Sequence, residues 1–296
     1  MQKLGALGRF LLIFLYVLGC LWVISVVLPA AGTPERRGRV IKRWAGRFLR
    51  WLGIRVKVHG AISDARAHEC GITPGAMGRL LLANHCSVLD IFILNALAPS
   101  SFVAKAEISR WPVFGRIAAA VGTIFIERGK KRALLSISER MQEALREGRN
   151  LLLFPEGTTS DGRGLLLLHA NLMEAAARTG AAVIPIVIRY KAGDEVTTRA
   201  AYTGSVGLFE CIWKILNTPG FHVDVLVLDP IHGDNRHVIC RQASAAMCAA
   251  IGVPDPLAAA AAVHATSAAD SSRLEPAKAA GADPADAGFS KEQASP

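Results

Sequence analysis

Between about Val56 and Pro254 the chain alternates short apolar runs with longer stretches whose apolar residues recur every three or four positions. The short runs are Leu80 to Ala83, Ser101 to Ala104, Thr123 to Ile126, Leu151 to Phe154, Val183 to Arg189 and Val223 to Leu228. They are Leu-rich or β-branched, as strands buried on both faces are. The periodic stretches predict helices at Ile91 to Ala98, Trp111 to Val121, Lys130 to Glu147, Leu165 to Thr179 and Arg236 to Ile251, with Gly148 and Gly180 as stops. Strands alternating with helices predict an α/β fold with a largely parallel central sheet flanked by helices. Pro185, inside a strand pattern, predicts a sheet edge or a bulge at that point.

The two ends follow other patterns. From Phe10 to Pro34 no residue is charged, and Phe10 to Leu28 is almost wholly apolar. At about 1.5 Å per residue, such a helix crosses or buries deeply in a hydrocarbon layer about 30 Å thick. A cleaved signal peptide competes with this reading, since Lys3 and Arg9 form a basic n-region and Pro29-Ala30-Ala31 a passable cleavage site. The length of the run and the basic cluster behind it favour a retained N-terminal membrane anchor, with the rest of the chain on the cytoplasmic face of the inner membrane. Arg36, Arg39, Arg43, Arg47 and Arg50 then recur at helical steps, while Val40, Ile41, Trp44, Phe48, Trp51 and Leu52 fill another face. That is the pattern of an amphipathic interfacial helix, with arginines on anionic lipid headgroups and tryptophans at the interface. A solvated basic face over a core helix has the same charges. From Leu257 to Pro296 the chain is Ala-rich without apolar periodicity and reads as a disordered tail. The expected organisation is an anchor at 1–34, a basic amphipathic helix at 35–55, one α/β domain at 56–256 and the tail at 257–296.

Composition narrows the function. The 296 residues, 51% hydrophobic, suffice for one sizeable core once the ends are set aside. The formal charge of +10 is concentrated: Lys3, Arg9, Arg36, Arg37, Arg39, Lys42, Arg43, Arg47, Arg50, Arg55 and Lys57 face only Glu35 within residues 1–57. The remainder is neutral overall. Nucleic-acid binding is disfavoured, because the basic block adjoins a membrane-like segment instead of patterning the domain. The six cysteines show no C-x-x-C pairing, so they support neither a disulfide framework nor a metal site.

Candidate chemistry lies just after the run Leu80 to Ala83. In Asn84-His85-Cys86-Ser87-Val88-Leu89-Asp90 a histidine and a carboxylate stand five residues apart. A strand end turning into a helix start brings two such side chains together. The carboxylate then orients the imidazole, whose other nitrogen takes a proton from an incoming hydroxyl. Ser87-x-x-Asp90 also has the form of a helix capping box, which satisfies backbone N–H groups and does no chemistry. Three further polar motifs follow strand candidates: Lys105-Ala106-Glu107, Gly122-Thr123-Ile124-Phe125-Ile126-Glu127-Arg128, and Phe154-Pro155-Glu156-Gly157-Thr158-Thr159-Ser160. Converging strand ends would gather a base, cationic groups and a glycine-containing loop into one pocket suited to an anionic, hydroxyl-bearing substrate.

With Val183-Ile184-Pro185-Ile186, these segments resemble the four ordered blocks of the 1-acyl-sn-glycerol-3-phosphate acyltransferases and related glycerolipid acyltransferases: N-H-x4-D, G-x-[I/V/F]-F-[I/V]-x-R, F-P-E-G-T-x-S and V-x-P-[I/V]. The resemblance covers roughly residues 78 to 190 and implies that 56–256 is an acyltransferase domain. It implies that His85 is the base that deprotonates the acceptor hydroxyl and that Asp90 orients it, with no protein nucleophile. It further implies that Arg128 contacts the acceptor phosphate, that Glu156, Gly157 and Thr158 form the acceptor-binding loop, and that Lys105 lies near the phosphate. No cofactor or metal is implied; the donor is an acyl-carrier-protein or coenzyme A thioester, and the acceptor lysophosphatidate. After the third block the chain departs from many relatives: Leu165-Leu166-Leu167-Leu168-His169-Ala170-Asn171 stands where they carry a phenylalanine, a basic residue and a small one. His169 reads either as a polar substitute or as a core histidine.

The expected activity is O-acyl transfer to lysophosphatidate, giving phosphatidate, with another lysolipid such as lyso-ornithine lipid as the alternative acceptor. A lipid or thioester hydrolase and a non-catalytic membrane-binding protein are the readings of other classes. The hydrolase lacks a nucleophile elbow: no G-x-S-x-G occurs, and Gly204-Ser205-Val206-Gly207 has the wrong spacing. Cys86 beside His85 is a poor nucleophile candidate, because adjacent side chains seldom face each other.

Overall fold

The computed structural model describes residues 15–16, 18–60, 75–111, 114–126, 131–203 and 208–260. Within the described residues a helix over residues 18–30 (α1), π-helical through Val23–Val27, leads into α2 (Pro34–Trp51) and β1 (Arg55–His59). Then come β2 (Leu80–Ala83), α3 (Leu89–Leu97), β3 (Ser101–Lys105), α4 (Phe114–Ala120) and β4 (Ile124–Ile126). These lead into α5 (Lys131–Arg146), β5 (Leu151–Leu153), α6 (Glu174–Thr179), β6 (Val183–Ala192) and β7 (Glu195–Val196). The chain closes with α7 (Leu208–Leu216), β8 (Phe221–Val227) and α8 (Arg236–Ile251).

The strands are ordered β1-β8-β6-β2-β5-β3-β4, with the short β7 on β6. From β6 to β4 every neighbouring pair is parallel; β8 runs antiparallel to β6, and β1 parallel to β8. The expected α/β architecture with a largely parallel, helix-flanked sheet is therefore the one observed. Successive strand residues feed opposite faces, and here both faces are covered. Leu81, Ala83, Ile184, Ile186, Ile188 and Tyr190 pack with Phe48 and Leu49 of α2, Ile93 and Leu94 of α3, and Cys211 and Ile215 of α7. Leu80, Leu82, Leu151, Leu153, Val183 and Val187 pack with Met141 and Leu145 of α5, Ala175 and Ala176 of α6, and Ile239 and Met247 of α8. A run of four consecutive buried residues such as β2 follows directly, since neither face can be polar.

Two expectations change. The helix expected over Leu165 to Thr179 is confined to a 3-10 turn, Ala170–Met173, followed by α6. The preceding leucines stay irregular because their backbone donors are taken elsewhere: Leu166 N–H goes to the Glu156 carboxylate (3.0 Å) and His169 N–H to the Pro155 carbonyl (2.9 Å). Pro185 marks neither an edge strand nor a bulge, for β6 is internal and Pro185 pairs in register with Leu82. Its carbonyl accepts Leu228 N–H, and the antiparallel ladder with β8 begins one residue later at Ile186. The missing N–H thus falls where that ladder ends.

Of the expected anchor, Phe10 to Leu28, residues 10–14 and 17 lie outside the described residues. Among the described residues no helix is long and apolar enough to cross a membrane. A turn at Gly32, whose φ of 71° suits glycine, separates α1 from α2. Tyr16 then stacks on Phe48 at 4.0 Å and on Trp51 at 5.8 Å between ring centroids, while Trp44 Nε1–H meets Cys20 Sγ at 3.2 Å. Trp44 and Trp51 are half-buried in this helical hairpin. The exposed residues are the arginines of α2 and, on the other helix, Leu15, Leu18, Trp22 and Val26, whose spacing forms one apolar stripe. The described residues up to 257 form one compact unit, and the expected tail lies outside the described residues from 261 onward.

Candidate active site

Five parallel strands point their carboxyl ends the same way, so the segments after β2, β3, β4 and β5 gather at one edge of the sheet. His85 follows β2 by two residues, and α3 starts at Leu89, which puts Asp90 in its first turn. The two side chains meet: His85 Nδ1 lies 2.8 Å from Asp90 Oδ2. Asp90 is completely buried, and the same Oδ2 accepts Cys86 N–H and Ser87 N–H, each at 2.9 Å. Those amide bonds are what a capping box requires, and Ser87 Oγ accepts Leu89 N–H in return at 3.3 Å. Capping and histidine pairing therefore coexist in one carboxylate. An acceptor oxygen facing Nδ1 fixes the proton there and leaves Nε2 as the basic nitrogen.

The loop after β5 grips the backbone of this histidine. Glu156 Oε1 accepts His85 N–H at 2.7 Å, and its Oε2 accepts Leu166 N–H at 3.0 Å. Ser160 N–H and hydroxyl both donate to the His85 carbonyl, at 2.7 and 3.3 Å. The imidazole itself lies flat on Phe154, with centroids 3.9 Å apart and 13° between planes. A second strap adds to this: Tyr202 N–H donates to the Cys86 carbonyl at 2.8 Å, and the Thr159 hydroxyl donates to the Tyr202 carbonyl at 2.5 Å. Burial pushes the Glu156 carboxyl above the usual carboxylate range, opposed by its two backbone donors and by His85.

The other candidates take distinct places. Lys105 is exposed at the carboxyl end of β3. Gly157 sits at a φ of 68°, a left-handed turn that favours glycine, and Thr158 beside it is exposed. The Gly157 N–H closes that turn onto the Phe154 carbonyl at 3.0 Å. Arg128 lies outside the described residues, as does Gly204 to Gly207; the block that Arg128 ends is described as far as Ile126. His169 is exposed and not a core histidine, and its N–H ties it to Pro155 beside Glu156. Cys86 is buried, and burial together with the Asp90 charge pushes its thiol well above the ordinary range, which leaves it no thiolate to attack with.

Four residues gained roles that motif reading had not assigned. Asn84 joins the loop to β6 by a two-way amide bridge: its Oδ1 accepts Ile188 N–H at 2.7 Å and its Nδ2 donates to the Ile188 carbonyl at 3.1 Å. Phe154 and Ser160 hold the histidine as described. Tyr190 donates its hydroxyl to Asp90 Oδ1 at 2.5 Å. The alternation along β6 is the signal that could have found it, since Ile184, Ile186, Ile188 and Tyr190 share the face under α3. Among the described residues no group of three or more His, Cys, Asp or Glu side chains is placed to hold a metal ion.

A family model described as Acyltransferase matches residues 55–189, which span the loops after β2, β3, β4 and β5. The chain is 36% identical over 222 residues to the lyso-ornithine lipid O-acyltransferase of Pseudomonas aeruginosa, covering 74% of this chain and 81% of that protein. It is 39% identical over 214 residues to the 1-acyl-sn-glycerol-3-phosphate acyltransferase of Neisseria gonorrhoeae, covering 70% and 79%. The crystal structure of the 1-acyl-sn-glycerophosphate acyltransferase from Thermotoga maritima superposes with a TM-score of 0.58 at 20% identity, over 82% of this chain and 95% of that one, and so shares the fold. With the four sequence blocks in order and the histidine and aspartate of the first in contact, the chain belongs to the glycerolipid acyltransferase family that includes the 1-acyl-sn-glycerol-3-phosphate acyltransferases.

Proposed function

We propose that this acyltransferase moves a fatty acyl group from an acyl-carrier-protein or coenzyme A thioester to the free sn-2 hydroxyl of lysophosphatidate, giving phosphatidate. The observation that carries the mechanism is the buried Asp90 on His85 Nδ1, which leaves Nε2 as the base. Nε2 takes the hydroxyl proton as the oxygen attacks the thioester carbonyl, and the imidazolium is stabilised by Asp90. The tetrahedral intermediate collapses with cleavage of the carbon–sulfur bond, and the leaving thiolate recovers its proton from His85. No cofactor or metal enters these steps. Arg128 and Lys105 are assigned to the acceptor phosphate, with a guanidinium able to bind two of its oxygens at once. Glu156 acts on the substrate through His85, and Gly157 and Thr158 form the wall of the acceptor site.

We place the enzyme on the cytoplasmic face of the inner membrane, held by the segment Phe10 to Leu28 and by anionic headgroups on α2. Support comes from the apolar stripe Leu15, Leu18, Trp22 and Val26 and from a groove of about 400 Å³ lined by Arg39, Lys42, Arg43, Arg47 and Arg50. A second acceptor, lyso-ornithine lipid, is favoured by the relative from Pseudomonas aeruginosa and by one from Rhizobium meliloti at 35% identity over 187 residues. Acyl transfer by purified protein, measured with both acceptors against both donors, separates the readings. Turnover of lysophosphatidate is expected, and His85→Ala is expected to reduce it by about three orders of magnitude or more while the protein stays folded. Activity on lyso-ornithine lipid alone selects the second acceptor, and an active His85→Ala protein removes the catalytic reading altogether.

A further inference from the structure

We infer that Tyr190 is a positioning residue for the catalytic pair: its hydroxyl locks the second oxygen of Asp90 and thereby sets the orientation and basicity of His85. The inference rests on the acyl-transfer reading above and deepens it.

The geometry is specific to the hydroxyl. Tyr190 lies on an apolar strand face, in the row Ile184, Ile186 and Ile188, and its ring stacks on Phe221 with centroids 5.8 Å apart. Phenylalanine would pack there equally well. A hydroxyl in such a layer is destabilising unless it finds a partner. Its partner is Asp90 Oδ1 at 2.5 Å, in a residue 0% exposed. With Oδ2 taken by His85 Nδ1, Cys86 N–H and Ser87 N–H, the carboxylate is fixed at both oxygens and cannot turn away from the imidazole. The distance between strand and loop is itself set by Asn84, which grips Ile188 two residues before Tyr190.

The bond also bears on proton affinity. A donor on Asp90 withdraws charge from the carboxylate and so weakens its pull on the imidazolium. Burial, and then the Asp90 charge, pushes the tyrosine itself well above its usual range, so it donates and does not ionise. The other titratable groups around Asp90 are His85 and Cys86 from its own loop, Glu156 and Asp161 from the segment after β5, and Cys211 from α7.

The test is the pH profile of kcat/KM for Tyr190→Phe, beside that of protein carrying 3-fluorotyrosine at this position, a stronger donor. Tyr190→Phe is expected to lower kcat about tenfold with both KM values within about twofold, because the lost bond acts on the base and not on substrate binding. Its acid limb moves to higher pH, and the fluorinated protein's to lower pH. A merely structural role would shift the melting temperature and leave both limbs in place, which would overturn the inference. Loss of activity in His85→Ala with an unmoved profile in both Tyr190 proteins rejects this inference alone; a fully active His85→Ala protein rejects the function on which it rests. The fluorotyrosine protein, which keeps every contact of the native side chain, decides the matter even where Tyr190→Phe folds poorly.

Discussion

A single carboxylate, Glu156, shows how one side chain can hold the backbone of a loop far from it in sequence. Both its oxygens accept backbone N–H groups, one from His85 and one from Leu166. Glu156→Gln keeps the shape but turns an amide NH2 toward one of these donors, at a cost of about 1–3 kcal/mol for the orphaned bond. Its pH dependence is the sharper check. Because burial raises the folded carboxyl above its unfolded value, the folded protein binds this proton more tightly. That contribution favours the fold below the unfolded value of about 4.3 and is lost as pH rises toward the higher folded one. The stability of wild type relative to Glu156→Gln is therefore expected to decline with rising pH across that window in denaturant titrations. A difference that stays flat would mean that the carboxyl is not shifted. His85 and Asp90 are legible in the sequence because only four residues separate them. Glu156 is legible as a motif member, but its hold on the His85 backbone is not, since that partner lies 71 residues away.

Elements divide by whether local or distant contacts set their limits. α8 can be read from sequence alone: Asn235 caps its start by accepting His237 and Val238 N–H, and Gly252, at a φ of 79°, ends it. The stretch Leu165 to His169 cannot, because Glu156 and Pro155 claim its backbone donors through tertiary contacts. β1 escapes the pattern for another reason. Its residues Arg55, Lys57 and His59 alternate with two valines at the sheet edge, so it lacks the continuous apolar run of the inner strands. Asn84 belongs to this scale, since its side chain continues the β2–β6 pairing one step beyond the strand. Asn84→Ala leaves the buried N–H and carbonyl of Ile188 without their partner, so a loss of about 2–4 kcal/mol is expected in chemical unfolding. Turnover should fall with it, because the His85 loop then loses its register against Tyr190. Unchanged stability would show that water replaces the bridge at no cost.

Across the whole molecule the charge and the chemistry are separated. The basic residues cluster before residue 58, and the remainder of the chain is neutral overall, while His85 stands at the carboxyl edge of the sheet. Arg43 and Arg47 are exposed on α2, with no carboxylate in ion-pair contact among the described residues, so their field is open to whatever faces that helix. A basic side chain near an anionic bilayer contributes about 1 kcal/mol. Reversing two, as Arg43→Glu with Arg47→Glu, should therefore weaken binding to phosphatidylglycerol vesicles by at least about tenfold. Neutral phosphatidylcholine vesicles should bind both proteins alike, through the apolar stripe on α1. Salt supplies the control: with a screening length of about 8 Å at physiological ionic strength, added salt should erase the difference between the two proteins. Turnover of detergent-dispersed substrate should be kept by the reversed protein, since neither arginine contacts the His85 loop. Equal binding of both proteins to anionic vesicles would mean that α2 displays its charge to water, and that the apolar stripe on α1 alone seats the enzyme on its lipid substrate.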